Sequence, residues 1–257
     1  MTTAGSVSDG SSGTRFKWNH INPHTCSSQH NLTSPNNSKN NQPTVSEPPD
    51  ANDEQQIPLD RSAFLNLAGV CEGGLVAIAF VVGWFVHVNP VQQLYFDWWS
   101  LLVGVLATVP MLVLFGVLYW TDLPPFRRIR DMLCEMLSPL LAQCRWFDIV
   151  LLAFMAGLCE ELLFRGTLQI WASGQWGLPT AIVVVSIVFG LVHFVTPTYF
   201  ILAAAIAAYL SGTMYLVDRP NLLIPITTHA LYDYIGFLVL VAEYRKSQRQ
   251  SPLPLNQ

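Results

Sequence analysis

The chain has 257 residues, of which 51% are hydrophobic and only 12% charged, with a mean hydropathy of +0.37 and a formal net charge of −4. Soluble domains carry about a quarter charged residues, so an ordinary soluble globule is excluded, and the acidic balance excludes a strongly basic nucleic-acid binder. The 5 cysteines show no CxxC spacing, which gives no zinc ribbon, while 8 Trp and 14 Phe suit membrane interfaces and lipid-facing helices.

Residues 1–57 are rich in Ser, Thr, Asn, Gln and Pro and show no apolar periodicity. Such a segment cannot bury enough surface to offset its ordering entropy, so it reads as a disordered tail. It has no apolar h-region, and the first membrane helix is expected to direct insertion instead of a cleaved signal. His20, His24, Cys26 and His30 fall close together in it. Their spacing matches no zinc module, and no core stands behind them to fix a geometry. The sequon Asn31-Leu32-Thr33 matters only in a secretory lumen.

From residue 63 onward the pattern is one of long apolar runs, at about 63–88, 98–120, 147–169, 178–196, 199–217 and 222–243. A crossing of the hydrocarbon needs roughly 20 residues, which predicts an all-α, polytopic bundle of about six spans. From Gly166 to Val217 there is no Asp, Glu, Lys or Arg, and only Thr196-Pro197-Thr198 separates the fourth run from the fifth. Arg127, Arg128, Arg130 and Arg145 lie between the second and third runs, and Arg245, Lys246 and Arg249 lie near the C-terminus. By the positive-inside rule both termini and the arginine segment are expected in the cytoplasm, at the plasma membrane if the host is bacterial. Apolar residues at 129, 132, 133, 136, 137, 140 and 141 predict an amphipathic helix lying on the membrane surface. The chain therefore divides into a tail (1–57), two spans plus the amphipathic helix (58–146), a four-span core (147–243) and a C-terminal tail (244–257).

Charged groups inside a span cost roughly 2.5–3.5 kcal/mol each on the insertion scale, yet the third run carries Glu160, Glu161 and Arg165. They must be paired, face a wet cavity, or both. Glu161 and Arg165 stand four apart with the acid first, the favourable order for a helical ion pair, and a structural role suits that pair best. Glu160 is rotated about 100° from Glu161 and has no partner on its own helix. His193 follows Phe189 by four residues, and His229 precedes Asp233 by four. Converging faces of three helices would place Glu160, His193, His229 and Asp233 in one polar pocket, although an intramembrane His also serves as a plain helix–helix hydrogen bond. Glu72 reads as either a pocket residue or an interhelical contact, Cys159 as packing, and Gly73-Gly74 as a close helix approach.

Glu160-Glu161-x-x-x-Arg165, Phe189-x-x-x-His193 and His229-x-x-x-Asp233 resemble the three signature motifs of the CPBP intramembrane proteases. That family includes type II CAAX prenyl endopeptidases, bacteriocin-processing enzymes and their Abi relatives, and the resemblance covers about residues 147–243. It implies an endopeptidase acting inside the bilayer on a CAAX-like tail, a leader peptide or a membrane protein, with lipid as its other partner. Glu160 and His193 would activate water, His229 and Asp233 would form the oxyanion site, and Glu161, Arg165 and Phe189 would support them. The family often has Asn where this chain has Asp233; Asn always offers an N–H, whereas Asp donates only when protonated. No cofactor is expected, although the family has also been read as metalloproteases, with Glu160, His193 and His229 as zinc ligands. Two rival readings are a non-catalytic immunity or scaffold protein of the same fold and a proton-coupled transporter. All motif residues are present, against the first, and no inverted repeat is evident, against the second.

Overall fold

An aspartate heads each of the first two apolar runs and sets where its helix begins. Asp60 accepts from the Ala63 N–H at 2.7 Å, and Asp97 accepts from the Ser100 N–H at 2.9 Å. These bonds satisfy donors that the first turn leaves open. The helices they start are α1 (Arg61–Val86) and α2 (Trp98–Trp120), in a computed structural model that describes residues 60–250. The polar tail, its histidine–cysteine cluster, its sequon and residues 251–257 lie outside the described residues.

Every regular element among the described residues is helical, as the sequence pattern predicts. After α2 come α3 (Pro124–Met136) and α4 (Ser138–Ala142), which occupy the expected amphipathic stretch. That stretch is not one helix: it breaks at Leu137, because Pro139 has no N–H to continue the ladder. Next, α5 (Trp146–Leu163), a π-helical segment (Phe164–Gln169) and α6 (Ile170–Trp176) form one unbroken helical run. The hairpin of α7 (Leu178–Val192) and α8 (Pro197–Thr213) follows, and α9 (Leu223–Gln250) closes the chain.

Of these, α1, α2 and α9 are each long and apolar enough to cross a bilayer. Large aromatic and aliphatic side chains lie bare on the outside, and Trp84, Trp98, Trp120 and Trp146 are each more than 70% exposed. Trp84 and Trp98 sit where α1 turns into α2, while Trp120 and Trp146 sit at the opposite ends of α2 and α5. Two aromatic girdles separated by an apolar surface are the pattern of an integral membrane protein.

The fourth and fifth runs depart from expectation. The helices end at Val192 and Thr213 rather than near 196 and 217, and they contain only 15 and 17 residues. At 1.5 Å per residue they are about 22 and 26 Å long, short of a ~30 Å core. Helix α7 stops because His193 leaves helical geometry, and α8 starts at Pro197 with the Thr196 hydroxyl accepting from the Tyr199 N–H. The hairpin is therefore shorter than the hydrocarbon core is thick. The space beneath it is lined by α2, α3 and α9. At that end of the bundle Phe64 and Leu65 of α1 pack with Leu141, Ile149, Leu240 and Val241, so the start of α1 and the second half of α9 lie together.

Candidate active site

Helices α5 and α9 come into backbone contact at Gly157. A Cβ there would stand 2.8 Å from the Ala230 nitrogen and 3.0 Å from the Ile226 oxygen, so only glycine permits the approach. One turn further along α5, Glu160 and Glu161 consequently face His229 on α9. Glu161 Oε1 accepts a hydrogen bond from His229 Nδ1 at 2.9 Å and lies 3.2 Å from Arg165 Nη1. Both Glu161 and Arg165 are fully buried.

The π segment begins just after this pair. Thr167 Oγ1 lies 3.0 Å from the Leu162 carbonyl, five residues back, and so fills the wider turn with a side-chain donor. Arg165 Nη2 donates to the Ala207 carbonyl of α8 at 2.8 Å, and its guanidinium lies over the Phe189 ring at 5.1 Å. Phe189 also meets Phe164 edge-on at 4.8 Å and stacks on His193 at 4.3 Å. One aromatic ring thus connects the buried arginine to the histidine at the hairpin tip.

His193 sits at the C-terminal cap of α7, and its Nδ1 lies 2.9 Å from the Phe189 carbonyl. A carbonyl only accepts, so Nδ1 carries the proton and Nε2 is left to the site. That Nε2 lies 3.9 Å from Glu160 Oε1, while His229 Nε2 lies 3.9 Å from Glu160 Oε2 and 3.4 Å from Asp233 Oδ2. The Glu160 contacts are too long for direct hydrogen bonds. Glu160 Oε2 is buried with no hydrogen-bond partner among the described residues. Glu160, His193, His229 and Asp233 line one cavity of about 290 Å³. Its remaining wall is mostly apolar, with Met111, Leu114 and Phe115 of α2 and Ile129 and Leu133 of α3.

The structure therefore brings together all four residues singled out for chemistry, and it places Glu161, Arg165 and Phe189 directly behind them. It corrects one expectation and settles another. Gly73 and Gly74 have nothing within 4 Å of an added Cβ, so the close approaches lie elsewhere, at Gly157 and at Gly190 against Phe200. Cys159 is buried and packs, as expected. Glu72 has one buried oxygen without a partner and lies within electrostatic reach of His229 and Asp233. Three features were missed by sequence reasoning: the Glu161–His229 bond, the π segment, and the tyrosines Tyr199 and Tyr232 in the cavity wall. The tyrosines could have been found, since each adjoins a motif residue or the hairpin punctuation. A cross-helix hydrogen bond leaves no mark in one sequence.

A zinc ion takes nitrogen and oxygen donors at about 2.0–2.2 Å. Among the described residues no three His, Cys, Asp or Glu side chains are grouped as ligands of one metal ion. Glu160, His193 and His229 share a cavity but are not drawn into a tetrahedral set.

Residues 142–235 match the family model for type II CAAX prenyl endopeptidase Rce1-like proteins, and the match spans all three polar motifs, while α1, α2 and α3 lie outside it. It supports a protease acting in the membrane. No curated protein and no solved structure matches the chain.

Proposed function

We propose that this protein is an intramembrane endopeptidase in which Glu160 and His193 activate water. The observation that carries the reading is the position of Glu160: a carboxyl in an apolar cavity with the Nε2 atoms of two histidines each 3.9 Å away. Each histidine has its Nδ1 engaged elsewhere, so both rings present a fixed nitrogen to the same place. A water held there would lose a proton to Glu160 as its oxygen attacks the scissile carbonyl. His229 and Asp233 face the carbonyl oxygen as negative charge develops on it. When the C–N bond breaks, Glu160 returns the proton to the leaving amine, giving an amine and a carboxylic acid whose remaining proton passes to the amine in water. Glu161, Arg165 and Phe189 hold the two histidines in register, and no step requires a metal ion.

The apolar wall beneath the α7–α8 hairpin suits a peptide tail with an apolar group beside the scissile bond, of the CAAX type or the leader-peptide type. The catalytic core is assigned to 147–243, with 58–146 supplying two spans and the helix that covers the cavity. The end of the bundle bearing α3 and both ends of the described chain is assigned to the cytoplasm, on the arginine distribution.

The test is comparative proteomics of membranes containing wild type or Glu160→Gln. A precursor that accumulates only with Glu160→Gln is expected. Identical peptide profiles from two equally abundant, folded proteins would sink the proteolytic reading and favour the immunity or scaffold alternative.

A further inference from the structure

The proposed oxyanion site is short of donors. His229 spends its Nδ1–H on Glu161, and its Nε2 lies closer to Asp233, at 3.4 Å, than to Glu160, at 3.9 Å. Asp233 has no N–H, and its ionised form only accepts. A developing oxyanion needs at least two donors aimed at it in a water-poor site.

Two tyrosines line the same cavity. Tyr199 lies in the first turn of α8, fixed there by its N–H bond to the Thr196 hydroxyl at 3.1 Å. Tyr232 precedes Asp233 on α9, its ring held edge-on to Phe115 at 6.1 Å. Both lie within electrostatic reach of Asp233 and of each other, and Tyr199 also of Glu160. Burial and nearby charges act on both phenols, and no hydrogen bond to a described residue does. Other tyrosines of the bundle have such a bond: Tyr209 donates to the Ala107 carbonyl at 2.7 Å, and Tyr95 to the Arg219 carbonyl at 2.7 Å. A phenol in apolar surroundings ordinarily finds a partner. Here no partner stands among the described residues, and Phe115 braces the Tyr232 ring.

Resting on the endopeptidase reading, we propose that the Tyr199 and Tyr232 hydroxyls donate hydrogen bonds to the scissile carbonyl oxygen and supply the two donors of the oxyanion site. No proton leaves either phenol. The two bonds strengthen as charge moves onto the oxygen, so they lower the barrier more than they favour substrate binding.

The experiment uses the full chain in detergent and two internally quenched peptides, one ending in S-farnesyl-cysteine plus three residues and the other identical but unprenylated. Tyr199→Phe and Tyr232→Phe are each expected to lower kcat about 10²- to 10³-fold, as for loss of one oxyanion donor, with KM within about twofold and the melting temperature unchanged. Unchanged kcat in both variants, or a loss confined to KM, overturns the tyrosine assignment while leaving the protease reading intact. A kcat loss that tracks a lower melting temperature makes the tyrosines structural and also overturns it. Wild type that cleaves neither peptide, indistinguishable from Glu160→Gln, brings down both readings together.

Discussion

Glu161 Oε1 is shared: His229 Nδ1 approaches it at 2.9 Å and Arg165 Nη1 at 3.2 Å, all three side chains being buried. The ion pair on one helix thereby fixes the ring orientation of a histidine on another. It settles which histidine nitrogen reaches the cavity, so its removal acts on stability and on chemistry at once.

Arg165→Met strands the Glu161 carboxylate in a fully buried site. Breaking a buried pair from one side typically costs about 3–5 kcal/mol. The variant should melt well below wild type in detergent, and cleavage should fall even in the fraction that remains folded. An unchanged melting temperature would remove Glu161–Arg165 from the framework of the site.

Gly157→Ala and Gly73→Ala form a matched pair. Both replace a helical glycine, but the new methyl meets the α9 backbone at 157 and open space at 73. Gly157→Ala should lose about 1–3 kcal/mol through overpacking and displace His229 from Glu161. Gly73→Ala should be neutral, or stabilising by about 0.4–1 kcal/mol, since it only restricts the unfolded chain. Thermal unfolding of the two variants side by side checks the contrast, and equal behaviour would contradict the α5–α9 contact.

Asp233→Asn presents an N–H from its amide nitrogen and should keep most of the activity. Asp233→Leu supplies none and should raise the barrier by about 2.7–4 kcal/mol. The measurement is kcat for each variant. An inactive Asn variant would assign Asp233 a role that needs negative charge, such as pairing with His229.

Incubation with a strong zinc chelator, followed by its removal, should leave cleavage at the wild-type rate. Loss of activity that added zinc restores would instead make Glu160, His193 and His229 metal ligands and replace the water-activation scheme.

The Asp97 carboxyl, at the head of α2, is held below its usual range by the Ser100 hydroxyl first and the Ser100 N–H second. A carboxyl lowered on folding contributes stability that is fully present above its unfolded pKa, near 3.9, and is lost as pH falls through the lower folded value. Asp97→Asn keeps a cap that does not titrate. Its melting temperature should therefore depend less on pH below about 4 than that of wild type, and parallel curves would count against the cap.

Much of this architecture is legible along the chain because caps, prolines and periodicity are local. Asp97 and the apolar run after it mark α2, and Pro124 opens the amphipathic stretch at its first helical position. The hairpin is less legible. Phe194 and Val195 continue the apolar run after α7 has ended, and both remain exposed, so hydropathy alone carries the span too far. The π segment leaves no periodic signal, since it is held by the Thr167 hydroxyl and by packing from outside the helix. At the site the motif spacings indicate which residues share a face. Which helices then meet is decided by single glycines, and Gly73-Gly74 is a more conspicuous pair than Gly157.

The short hairpin also bears on bilayer elasticity. A protein edge about 22–26 Å tall beside a ~30 Å hydrocarbon slab obliges neighbouring acyl chains to compress, at a fraction of a kcal/mol per Å. Along most of the perimeter α1, α2 and α9 are tall enough to avoid that deformation. The thinning is therefore confined to the sector beside the tip, where Val192, Phe194 and Val195 face outward. An extended polypeptide that slides into this sector fills the height the hairpin leaves and lets the lipids relax. Relief of that deformation would then favour lateral entry over threading from the aqueous side, more strongly in thicker bilayers.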